Sequence, residues 1–243
     1  MIKNKFLLSF FLTLSLFSLT GFCGDSVAQN VSEAQDGKNS EKFIQDLGDK
    51  GIKTLTGKDI SEAERRKRFE ALFIVAFDYD RIGKFVLGPF RRQVNAADMQ
   101  EYLGLFKDMV VRVYAARFGE YNHEQFKATA SRANKETMIV SSQILRPNDS
   151  KISIEWHMYK DKAGEFKIFD VVVEGVSMAL TQRSEFLGIL QSGGIKKLME
   201  DIKKKKNQPA KKMIDVSSSS EKPKKEGSAA SQPAQKQAAG AKA

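Results

Sequence analysis

The sequence predicts an α+β fold: one antiparallel sheet, four-stranded or slightly larger, with helices before and after it. Three observations carry this reading. Apolar residues recur every three to four positions through the first half of the chain and again near its end, the spacing of one helical face. Past Gly119 the period shortens to two, the spacing of a strand covered on one side. The period-two segments are consecutive and joined by short turn sequences, so they form a meander, and the helices pack against one of its faces.

The first 28 residues stand outside this fold. Lys3 and Lys5 make a positive n-region, residues 6–19 are apolar apart from Ser and Thr, and Ser26-Val27-Ala28 is a small-x-small cleavage site. A secretory signal peptide cut after Ala28 is expected, since a spanning helix needs about 20 apolar residues. Cys23 follows the apolar run as a lipidated cysteine would, but bulky Phe22 occupies a position where that modification wants a small residue. Cleavage after Ala28 leaves no cysteine, hence no disulfide, and stability must come from a core.

Charge separates the domain from a tail. Residues 29–202 carry 27 Lys+Arg against 26 Asp+Glu, net +1, whereas residues 203–243 carry 11 against 3, net +8. The basic character therefore argues for no nucleic-acid partner of the folded part. Residues 206–243, rich in Lys, Ser, Ala and Pro, have too little apolar content to fold and are read as a disordered tail. A folding domain of residues 29–205 remains, long enough for one substantial core.

Within it, Phe43, Ile44 and Leu47 begin a short amphipathic helix after a polar lead-in. Ser61 and Glu64 form a capping box ahead of Phe69, Leu72, Phe73 and Ala76, which share one helical face. The stretch DYDRIGKFVLGPFRR fits a short helix ended at Gly88-Pro89, because proline disfavours helical geometry in the residue before it. Asn95 caps a long helix striped with Met99, Tyr102, Phe106, Met109, Val110 and Val113. Strands are expected at 124–132, 136–146, 151–160 and 165–174, separated by Asn134-Lys135, by PNDS and by Ala163-Gly164. The third alternates most clearly, with Ile152, Ile154, Trp156 and Met158 on one side and Ser153, Glu155, His157 and Tyr159 on the other. Helices near 178–190 and 195–204 close the domain, around a QSGGI turn.

Catalytic and metal motifs are weak. Gly175-Val176-Ser177-Met178-Ala179 resembles the G-x-S-x-G nucleophile elbow, which would make a serine hydrolase. That fold places its histidine after the serine, whereas His123 and His157 both precede Ser177 and the sheet reads antiparallel. The alternative is that Gly175 permits a tight bend and Ser177 caps the next helix. Two isolated histidines make no metal-ligand set, and Asp78 and Asp80 fit a helix N-terminus better than a paired site. What remains is an apolar surplus, and composition does not distinguish a filled core from a hollow one.

Taken together, FDYDRIGKFVLGPFRR with the following helix ending YAARFGEY, the strand SIEWHMY, and DVVVEGVSMALTQRSEFLGILQSGGIKKLMEDI resemble the periplasmic phospholipid-binding MlaC family, also called toluene-tolerance auxiliary proteins of ABC transporters. The resemblance spans roughly residues 40–205. It implies a monomeric, non-enzymatic periplasmic carrier with no cofactor, whose curved sheet and helices enclose an apolar cavity for phospholipid cargo. It implies partners in an inner-membrane ABC transporter with MCE-domain subunits and in an outer-membrane lipoprotein complex. Candidate lining residues are Ile152, Ile154, Trp156, Met158, Phe166, Ile168 and Val140 of the sheet with Phe106 and Met109 of the long helix. Arg91, Arg92 and Arg132 are candidates for the headgroup rim. An acyl chain of about 14 carbons costs on the order of 10 kcal/mol to leave in water, so moving lipid between membranes needs a dry container. A hopanoid or other apolar lipid as cargo, and an envelope-surface adaptor with a cationic tail, are the competing expectations.

Overall fold

A computed structural model describes residues 25–205 other than 58 and 122, with side chains from residue 34 onward. The expected signal sequence up to residue 24, Cys23 and the tail 206–243 lie outside the described residues. The order of elements is α1 (Asp25–Leu55), α2 (Glu62–Ala76), α3 (Tyr79–Val86), a 3-10 turn (Gly88–Gln93), α4 (Ala96–Arg117), a second 3-10 turn (Phe118–Glu120), β1 (Gln125–Asn134), β2 (Thr137–Leu145), β3 (Lys151–Lys160), β4 (Phe166–Val173), β5 (Val176–Ser177) and α5 (Met178–Lys205). The strands form one antiparallel sheet in sequential order, β1 to β5, as a meander requires. The fifth strand is only two residues long and was too short for a period to show.

Local chemistry explains the helix ends. Ser61 Oγ accepts the Glu64 N–H at 3.2 Å, while the Glu64 carboxylate takes the Arg68 guanidinium at 2.8 Å. Asp78 and Asn95 accept the N–H groups of Arg81 and Asp98 at 3.0 and 2.9 Å, so each supplies the first turn of its helix with an acceptor. The last helix breaks at Gly193-Gly194, where Gly194 has φ 63°, which divides α5 near the expected QSGGI turn.

The first helix departs from expectation. It starts at Asp25, upstream of Ala28, and runs 31 residues instead of beginning at Phe43. Its inner stripe is made of Gly37, Ser40, Ile44, Gly51 and Leu55, too small and too polar for a hydrophobic-period search to recognise. Small residues here let the helix lie close on the sheet. A Cβ added at Gly48 would stand 2.2 Å from Cδ1 of Phe126 on β1. Beside it, the Gln45 amide donates to the Phe126 carbonyl at 3.3 Å and accepts the Ala128 N–H at 2.8 Å. This side chain thus partners the edge strand next to its bulge between Ala128 and Ala130, where a ladder partner would otherwise stand.

Two hydrophobic cores result. Ile44 of α1 and Ala76 of α2 meet Val140, Met158 and Ile168 on the inner sheet face. Val86, Leu87, Tyr102, Phe106, Phe186, Leu198 and their neighbours fill the space between α3, α4 and α5. Tyr102, wholly buried in the second core, donates its hydroxyl to the Gly83 carbonyl at 3.0 Å, which satisfies a polar atom that burial would otherwise penalise.

Candidate functional site

The bend at Gly175 and Ser177 is built for position. Glu174 and Gly175 both have positive φ, 49° and 80°, the geometry of a two-residue hairpin turn between β4 and β5. Ser177 Oγ then accepts the Leu180 N–H at 3.1 Å, the N-cap bond of α5. It donates to Asp170 Oδ2 at 2.5 Å, and Asp170 Oδ1 accepts the N–H groups of Val171 at 2.8 Å and Ala179 at 3.1 Å. The hydroxyl's partners are a carboxylate and a backbone amide, neither of them the histidine that a serine nucleophile uses as base. His157 instead lies beside Glu155, with its Nε2 3.6 Å from a carboxylate oxygen, and packs its ring edge-on to Phe169. Among the described residues no group of three His, Cys, Asp or Glu could hold a metal ion.

From that hub, the first segment of α5 runs along α4, and between them lies an apolar pocket of about 180 Å³. Met109, Val110 and Val113 of α4 face Phe186 and Ile189 of α5, and Leu198 and Ile202 close it beyond the Gly193-Gly194 break. Tyr114, Glu185, Asp201 and Lys205 bring polar groups to its lining. Burial pushes the Glu185 carboxyl above its usual range, a rise that Lys205 and a hydrogen bond from Gln182 partly offset. Burial likewise raises the Tyr114 phenol, reinforced by the nearby Glu185 charge.

The sequence candidates divide between the two cores. Met109 lines the pocket, and Phe106 packs edge-on to Phe186 behind it, with ring centres 6.4 Å apart. Val140, Met158 and Ile168 are completely buried against α1 and α2, and Ile154 is nearly so. Trp156 and Phe166 pack against the same sheet core, with the Trp156 indole N–H donating to Ser142 Oγ at 2.8 Å. Ile152 shares their face at the start of β3 and is half-buried. Phe106 and Met109 therefore do not share a wall with the sheet residues here: on its inner face α1 and α2 supply the packing. The cation candidates are also separate. Arg91 and Arg92 are exposed on the 3-10 turn after α3, whereas Arg132 lies on the outer sheet face, bonded to Glu155 at 3.0 Å.

Sequence reasoning missed Tyr114, Gln182, Glu185 and Ile189 as pocket residues. The signal available was Val110 and Val113 in the apolar stripe of α4. It could not show that the facing helix would leave space beside them.

Comparison with known proteins agrees with this architecture. The solved phospholipid-binding protein of Ralstonia solanacearum, determined in complex with a phospholipid, superposes with a TM-score of 0.63 over 70% of this chain and 98% of its own, at 18% identity, a likeness of fold. The intermembrane phospholipid transport system binding protein MlaC of Haemophilus influenzae is 22% identical over 131 residues, which span 52% of this chain and 61% of that relative. The model of the family described as MlaC protein matches residues 45–204, from within α1 to the last turn of α5, and the chain thus belongs to the MlaC protein family.

Proposed function

We propose that this protein is a non-enzymatic carrier of phospholipid between membranes. The family match across residues 45–204 carries the reading, and the apolar pocket between α4 and α5 supplies a place where cargo could begin to enter. Pockets for small organic ligands run to about 300–1,000 Å³, so the 180 Å³ present must widen to take an acyl chain. Widening by displacement of α5 is the least costly route. Its Gly193-Gly194 break can absorb a backbone change, while the inner sheet face is tied down by α1. Phe106 and Met109 are then the first lining residues reached. Val140, Ile152, Ile154, Trp156, Met158, Phe166 and Ile168 join them only as the layers part.

The same reading extends to the chain's surroundings. The amino-terminal pattern ending at Ala28 supports export to the periplasm, with residues 29–205 as the lipid-binding domain and 206–243 as a basic appendage. Family membership supports exchange with an inner-membrane ABC transporter bearing MCE-domain subunits and with an outer-membrane lipoprotein complex. A protein acting as a single-copy shuttle needs no cofactor beyond its cargo.

Mass spectrometry of an organic extract, from protein purified without detergent, tests this directly. One two-chain phospholipid per protein is expected, and Met109→Glu should reduce it by placing a charge against the acyl chain. Ile154→Glu, checked for folding by circular dichroism, should lose lipid only if the sheet face is also exposed to cargo. Absence of lipid from the folded wild type, both as purified and after incubation with phospholipid vesicles, would refute the carrier reading.

A further inference from the structure

Along one side of the molecule cations and apolar side chains alternate. The Arg81 guanidinium stands 4.7 Å from the Tyr159 ring centre and 4.5 Å from that of Phe169. One helical turn on from Arg81, Phe85 is 38% exposed, and the Arg183 guanidinium lies 5.4 Å from its ring centre. Arg183 is flanked on α5 by Leu180 and Leu187, at 54% and 40% exposure. The 3-10 turn after α3 extends the belt: a Cβ at Gly88 would meet the Arg183 side chain at 3.0 Å, and Arg91 and Arg92 follow, both exposed. Acidic groups nearby are already engaged. Asp80 pairs with Lys84 at 3.7 Å, and Asp78 takes the Tyr159 hydroxyl at 2.5 Å.

We propose that this face of α3, the following turn and the start of α5 docks on the surface of an anionic lipid bilayer, so that the folded domain touches membrane directly and independently of its basic tail. Charge complementarity selects the bilayer: Arg81, Arg91, Arg92 and Arg183 share this face, and the acids beside Arg81, Asp78 and Asp80, already have partners in Tyr159 and Lys84. The spacing agrees. A protein partner's anchors need a continuous, desolvated apolar patch, whereas here each apolar group has a guanidinium beside it. A headgroup region accommodates that pattern, taking single apolar side chains to the acyl boundary while cations contact phosphate. The inference does not depend on what the protein carries.

The test uses the full chain, with Leu187→Trp as reporter and vesicles containing brominated lipid. On phosphatidylglycerol/phosphatidylcholine vesicles the added tryptophan should shift to the blue and be quenched. Lys151→Trp, at the start of β3, should show neither change. Arg91→Glu with Arg92→Glu should weaken partitioning at least tenfold, given about fivefold for each basic residue near an anionic surface. Leu180→Trp provides a second reporter should Leu187→Trp fail to fold. Co-sedimentation without quenching at position 187 or 180 would mean that the tail alone binds, and would overturn the proposal. So would equal quenching on pure phosphatidylcholine, equal quenching of Lys151→Trp, or no binding at all.

Discussion

Replacing Asp170 and Ser177 by alanine, singly and together, separates a structural hub from a catalytic serine. The carboxylate of Asp170 receives three hydrogen bonds, from Val171 N–H, Ala179 N–H and Ser177 Oγ. Each bond to a charged acceptor contributes about 1.5–3 kcal/mol, but part of this is recovered where water reaches the freed donors. Asp170→Ala should therefore cost about 3 kcal/mol, well below the simple sum of the three. Ser177→Ala removes the N-cap bond from Leu180 together with the hydroxyl's bond to Asp170 and should cost about 1–2 kcal/mol. Because the two side chains share a bond, the double variant should be less destabilised than the sum by about 1 kcal/mol. Urea unfolding followed by circular dichroism measures all three. In thermal melts Asp170→Ala should lower Tm by about 6–12 °C for a domain of this size. A Ser177→Ala variant of unchanged stability that abolished an ester-hydrolysing activity of the wild type would refute the structural assignment.

Two further outcomes follow from packing and charge. Gly48→Ala gains about 1 kcal/mol of helix propensity, yet its Cβ would sit 2.2 Å from the Phe126 ring, and overpacking costs about 1–3 kcal/mol, so net destabilisation is expected in the same urea assay. Adding Phe126→Leu should relieve it. Glu185 has its folded-state pKa raised by burial, so the stability tied to its protonated form is present at low pH and is lost as pH rises through the folded pKa. Glu185→Gln cannot ionise, and its Tm should exceed that of the wild type at pH 7, the difference shrinking toward about pH 4. A constant difference across that range would assign the effect to something other than ionisation.

The sequence made some of this plain and hid the rest for identifiable reasons. β3 was legible because its two faces differ in chemistry, with apolar Ile154, Trp156 and Met158 alternating with Ser153, Glu155 and His157. The caps at Ser61, Asp78, Asn95 and Ser177 were legible because their chemistry is local, each bonding an N–H three residues ahead. The upstream reach of α1 was hidden because it packs through Gly37, Ser40 and Gly48, residues that a hydrophobic-period search scores as silent. The candidate site was the least legible part. Met109 and Ile154 carry the same signal, an apolar residue on a covered face, and both are buried, yet one lines the pocket between α4 and α5 and the other lies on the sheet away from it. That difference is set by how far apart two layers stand, a property of pairs of elements and not of either one. A carrier sharpens the problem, because its pocket must close around nothing when empty and still part for cargo. Side chains that serve both states have to pack as an ordinary core packs. For the proposed opening the backbone is the better place to look, since Asp170 with Ser177 pins the start of α5 and Gly193-Gly194 interrupts its helical geometry at the far end of the pocket wall.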